Sequence, residues 1–88
     1  MNSIHRATVL IVDDTPDNLT LLSNLLKDKY ATKVATSGAT ALQIVASAKV
    51  DLILLDIMMP EMDGIETCRR LKADPAGALI PVVFLTAK

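Results

Sequence analysis

The sequence predicts an open α/β domain, a doubly wound parallel sheet built in the order β-α-β-α-β-α-β. Short β-branched or apolar runs alternate with segments whose apolar residues recur at helical spacing. That alternation is the pattern of parallel strands joined by right-handed helical crossovers. One run, Leu52-Ile53-Leu54-Leu55, is unbroken and is followed closely by Pro60 and Asp63-Gly64. Such a run reads as a strand buried on both faces, because a helix could not continue through those breakers. Finally, Asp13, Asp14, Asp56 and Thr86 each stand just past the last apolar residue of a strand. A parallel sheet therefore gathers them at one edge, and that edge is where open α/β sheets bind ligands.

The elements follow in order. Residues 1–7 are polar, carry His5 and Arg6, and read as a flexible leader. Thr8 to Val12 is a β-branched, apolar first strand that ends in Asp13-Asp14. Thr15-Pro16 opens a helix, with Thr15 able to cap and Pro16 suited to the first helical position. Leu19, Leu22 and Leu26 form its apolar face, widened by Leu21 and Leu25, and Lys27-Asp28-Lys29 ends it. Thr32 to Thr36 is a second strand and Ser37-Gly38 a turn. Ala41-Leu42, Ile44-Val45 and Ala48 mark a helix whose small residues suit close packing on a sheet. After the central strand, Ile65, Cys68 and Leu71 line one face of a third helix, with Glu66, Arg69, Arg70 and Lys72 opposite. Asp74-Pro75 breaks it, and Pro81 opens a fourth strand, Val82 to Leu85.

Composition narrows the function classes. Eighty-eight residues allow one small domain with a thin margin of core. The net charge of −1 and the absence of a basic stripe argue against nucleic acid and against an anionic membrane surface. Every apolar run is far shorter than the roughly 20 residues a membrane helix needs. No secretory signal opens the chain and Cys68 has no partner for a disulfide, so the cytoplasm is the default compartment.

The chemistry lies at the sheet edge. Two carboxylates about 5 Å apart repel by roughly 3 kcal/mol at an effective dielectric of about 20. Asp13, Asp14 and Asp56 therefore either hold protons or surround a cation. All-oxygen ligands favour a hard ion such as Mg²⁺ (or Mn²⁺), which usually completes its shell with water and phosphate oxygens. Asp56, held beside such an ion, is placed to act as a carboxylate nucleophile and form an aspartyl phosphate. Thr86 could donate a hydrogen bond to a phosphoryl oxygen.

On these residues the chain resembles the receiver domain of a bacterial two-component response regulator. The resemblance rests on Asp13-Asp14, on Leu54-Leu55-Asp56-Ile57-Met58-Met59-Pro60 with Asp63-Gly64, and on Leu85-Thr86-Ala87, and it spans residues 8–88. It implies a flavodoxin-like sheet of strand order 2-1-3-4-5. It implies that Asp56 accepts a phosphoryl group from a histidine kinase or phosphotransfer protein. It further implies that Asp14 binds Mg²⁺ directly, Asp13 largely through water, and the Met58 backbone carbonyl beside them. Thr86 would be the switch hydroxyl, while Met58, Ala87 and Lys88 would flank the phosphoryl group. The output would be a conformational shift read by a downstream effector domain. The segment from Asp13 to Lys27 is similar to receivers that precede cyclic-di-GMP enzymes.

The resemblance also implies a fifth strand ending in a lysine, and none follows Lys88. The expectation is a receiver with four of its five strands, slow or inert in phosphotransfer, which either associates with one or more further copies through its fourth strand and poorly covered sheet face or is only partly folded. Rival readings fit less well. An aspartyl phosphatase would want an acid where Met58 stands, and the acidic pair would repel a flavin phosphate. A Gly-rich phosphate loop is absent. The remaining alternative is a receiver-like module that packs or dimerises without being phosphorylated. Cys68 alone reads as a small core residue, and Met58-Met59 as loop packing.

Overall fold

The computed structural model of the protein describes residues 6–85. Four parallel strands form one sheet: β1 (Thr8–Val12), β2 (Ala31–Ala35), β3 (Leu52–Asp56) and β4 (Val82–Leu85), in the order β2-β1-β3-β4. Three helices connect them: α1 (Pro16–Leu26), α2 (Gly38–Ser47) and α3 (Gly64–Ala73). The α/β alternation expected from the sequence is therefore present, with the first four strands in the anticipated order.

Side chains alternate across the sheet, and this divides the core in two. Leu10 and Val12 of β1 and Ile53 and Leu55 of β3 join Ala41 and Val45 of α2 and Leu71 of α3. On the opposite face Val9 and Ile11 pack with Leu19 of α1, bordered by Leu22, Leu26, Leu52 and Leu54. Because β1 lies between two strands and two helical layers, Val9 to Val12 are all buried. The expectation that β3 is buried on both faces holds fully on the α2/α3 side alone. Leu52 and Leu54 face the side where α1 is the single helix among the described residues, and they are half-buried. On β4, Val83 and Phe84 are exposed.

Several local readings shift. β2 starts and ends one residue earlier than expected because the Ala31 N–H already bonds to the Ala7 carbonyl at 2.9 Å, while the Ala35 carbonyl is taken by Asp13. Of the anticipated leader, Arg6 and Ala7 are described, and Arg6 Nη1 donates to the Lys27 carbonyl at the end of α1. His5 lies outside the described residues. Leu21 and Leu25 do not widen the buried face of α1, since they are 58% and 69% exposed. Ser37 is not a turn residue but the cap of α2, its Oγ accepting the Thr40 N–H. Met59 is buried within the core.

The face of α3 is also turned from the one expected. Gly64, Thr67 and Leu71 are buried, whereas Ile65 is 55% exposed and Cys68 is half-buried. Small residues at Gly64 and Thr67 let the helix sit against backbone. A Cβ on Gly64 would overlap the Asp56 carbonyl oxygen and come within 2.8 Å of Ile57 Cα. Thr67 in turn fills the space beside Gly38, and its hydroxyl donates to the Asp63 carbonyl. The outer face of α3 is solvated: Glu66 accepts from Arg69 and Arg70, which hold its carboxyl down to about 2.

Gly64→Ala is expected to destabilise the fold by about 1–3 kcal/mol, the usual cost of forcing atoms into a packed interior. Urea denaturation measures it: the midpoint should fall with the slope unchanged.

Candidate functional site

Register places the acidic residues. β1 and β3 pair Val12 with Leu55, so the next residues on the two strands, Asp13 and Asp56, leave the sheet side by side. The Asp13 N–H continues the ladder one step past β1 by bonding to the Ala35 carbonyl at 3.1 Å. Asp56 is the last residue of β3, paired with Leu85 of β4. Asp13 and Asp56 are both buried residues, and Asp14 beside them is exposed. One carboxylate oxygen from each of Asp13, Asp14 and Asp56 lies within 4.8 Å of the others. The three acidic residues singled out in the sequence are thus brought together as expected.

Hydrogen bonds orient this cluster. Asp13 Oδ1 accepts the Thr15 N–H at 2.9 Å, and Asp13 Oδ2 accepts Asn18 Nδ2 at 3.1 Å. Thr15 stands at the cap position of α1 as expected, but its side chain makes no cap bond; the Asp13 carboxylate bonds to its backbone instead. Asp56 Oδ1 accepts the Met58 N–H at 3.2 Å. The following loop is pinned at several points. The Gly64 N–H bonds to the Ile57 carbonyl, Met59 plugs the core, and Glu61 adopts a left-handed φ of 68°. Asp63 caps α3 by accepting the Glu66 N–H. Met58 stays 67% exposed at the rim.

The electrostatics follow from burial and like charge. Burial raises the Asp56 pKa above its ordinary 3.8, and the charges of Asp13 and Asp14 raise it further. The Met58 N–H works in the opposite direction without cancelling these effects. An all-oxygen donor set with uncompensated negative charge suits a hard divalent cation, and these three carboxylates could hold one. Thr86, Ala87 and Lys88, expected to flank the site, lie outside the described residues. The contact from Asn18 was not anticipated. Its signal is a polar residue at the third helical position, from which side chains reach back over the helix start.

An open parallel sheet of order β2-β1-β3-β4 with a carboxylate cluster at its carboxyl edge is a flavodoxin-like domain, and comparison with known proteins is more specific. Residues 9–88 match the family model of the response regulator receiver domain, and the chain belongs to that family. A probable cyclic di-GMP phosphodiesterase from Vibrio cholerae is 48% identical over the whole chain, which spans 20% of that relative's length. The N-terminal domain of a response regulator receiver protein from Methanoculleus marisnigri is 45% identical, with a TM-score of 0.88 over 92% of this chain and 67% of that one. The receiver domain of the sensor histidine kinase PA1611 from Pseudomonas aeruginosa, solved with magnesium in its active-site cleft, is 28% identical. Its TM-score is 0.88 over 96% of this chain and 70% of that one. The chain is therefore a signalling module of two-component systems.

The raised Asp56 pKa sets a sign for stability. The folded state holds the Asp56 proton more tightly than the unfolded state does, so this group costs stability as pH rises from the unfolded value of 3.8 through the folded one. Asp56→Asn is therefore expected to stabilise the metal-free protein at neutral pH. The gain should vanish below the unfolded carboxyl pKa, as read by thermal unfolding across acid to neutral pH.

Proposed function

We propose that this domain receives a phosphoryl group on Asp56, with a divalent cation held at Asp13, Asp14 and Asp56. The observation that carries the reading is the convergence of three carboxylate oxygens within 4.8 Å at the end of the central strands. Asp56 Oδ1 is engaged by the Met58 N–H, which leaves Oδ2 to attack phosphorus. The donor would be a phosphohistidine of a histidine kinase or phosphotransfer protein. The new P–O bond forms on Asp56 as the P–N bond breaks, and the departing imidazole keeps the electron pair and regains its proton from solvent. Asp14, exposed beside the buried pair, and the Met58 carbonyl would complete the protein's share of the metal site. Bound Mg²⁺ would supply positive charge opposite the phosphoryl oxygens and relieve the repulsion that raises Asp56. The rigid loop from Ile57 to Asp63 keeps the nucleophile in one orientation, which is the protein's main contribution to such a transfer.

The output is a shift between two conformations, biased by contacts made in the phosphorylated state alone. Thr86 would supply one such contact, and Met58, Ala87 and Lys88 would set access to the phosphoryl group. An effector acting on cyclic di-GMP is the favoured output, on the likeness to the Vibrio cholerae relative.

In the natural polypeptide that contains these residues, acetyl phosphate with Mg²⁺ is expected to add one phosphoryl group. Asp56→Asn should prevent it, and so should chelation of the metal. Intact-mass spectrometry reads both. Labelling that survives in the Asp56→Asn protein identifies another carboxylate as the acceptor, and no labelling of the wild type leaves the domain a packing module. In a separate titration followed by backbone amide resonances, Asp14→Ala is expected to abolish Mg²⁺-dependent shifts at Asp13 and Asp56.

A further inference from the structure

We propose that Asn18 is a positioning residue for the acidic site: its side-chain amide holds the Asp13 carboxylate in the orientation that binds a divalent cation. The inference rests on the reading of Asp13, Asp14 and Asp56 as a cation site, and it assigns a role to a residue on α1 that belongs to none of the strand ends. A carboxylate accepts hydrogen bonds and cannot donate when ionised, so the Asn18 atom facing Asp13 Oδ2 at 3.1 Å must be Nδ2. The Thr15 N–H engages the other oxygen at 2.9 Å. With one donor on each oxygen, rotation of the Asp13 carboxyl group would break both bonds at once.

The need for such a clamp follows from charge. The three carboxylates repel one another, and an exposed one relieves this by swinging toward water. Asp13 is 4% exposed and has no such escape. Its backbone is tied into the sheet through the Ala35 carbonyl, so the freedom left to it is rotation of the side chain. Among the described residues, Asp13 receives hydrogen bonds from two other residues, Asp56 from one, and Asp14 from none. Asp13 is thus the most firmly held of the three, and the exposed Asp14 is the one left to adjust around an ion. Asn18 itself is exposed and stands at the third position of α1, so its amide contributes little to the core. Partners of this kind, which orient a metal-binding side chain from behind, commonly alter metal affinity by about 10–100-fold when removed.

The test is a Mg²⁺ titration followed by amide resonances in three proteins: wild type, Asn18→Leu and Asn18→Gln. Leucine has a similar volume without donors, and glutamine keeps the amide. In the wild type, the Asn18 side-chain NH₂ resonances should move with the backbone amides of Asp13, Asp14 and Asp56 and give the same Kd. Asn18→Leu should raise that Kd about tenfold, with the thermal midpoint of the metal-free protein little changed. Asn18→Gln should recover most of the affinity, which a merely structural role for position 18 would not produce. An Asn18→Leu protein with the wild-type Kd overturns the proposal and leaves the cation site standing. So do Asn18 side-chain resonances that ignore Mg²⁺ while the three acidic residues respond, a readout that needs no variant to fold. A wild type in which none of these resonances responds removes the cation site itself, and the proposal with it.

Discussion

The parallel register between β1 and β3 is the constraint on which the site depends. Val12 opposite Leu55 means that the residues after them emerge at one height, and both are aspartates. A slip of one residue would turn Leu10, Val12, Ile53 or Leu55 to the opposite face of the sheet and empty the larger core cluster. Each of these side chains is fully buried, so such a slip is opposed by several apolar contacts at once. The core therefore holds the carboxylates together against their own repulsion.

That repulsion is what the surrounding backbone manages. Two backbone N–H groups in the adjoining turns point at the cluster: that of Thr15 toward Asp13 and that of Met58 toward Asp56. Close approach is permitted where side chains are smallest. Gly64 lies directly over the Asp56 backbone, and Gly38 lies against Thr67, so α3 and the start of α2 brace the loop behind the site. Without these small residues the helix would stand off, and the loop that presents Asp56 would lose its support. Stability and site geometry are coupled through the same few contacts.

The likeness to solved receiver domains fits this arrangement. The neighbour from Pseudomonas aeruginosa with magnesium in its cleft shares the fold over nearly all of this chain. Burying Asp13 and Asp56 beside each other carries an electrostatic cost that packing by itself does not offset.

Strand existence, helix existence and the identity of the acidic residues were determined by the sequence alone. Apolar runs, helical periods and breakers are local, and the parallel arrangement follows from alternation, so the pattern itself places Asp13, Asp14 and Asp56 on one edge. Tertiary structure decided what depends on packing between elements. Hydropathy suggested Ile65 as a core residue, but α3 turns Gly64 and Thr67 inward because backbone and a neighbouring helix lie too close for isoleucine. Leu21 and Leu25 read as core for the same reason of hydropathy, yet they point away from the sheet face that α1 covers. The bond from Asn18 to Asp13 was legible only as far as a polar residue at the third helical position; its partner was not. It depends on the angle at which α1 leaves β1, and no periodicity in the chain encodes that angle.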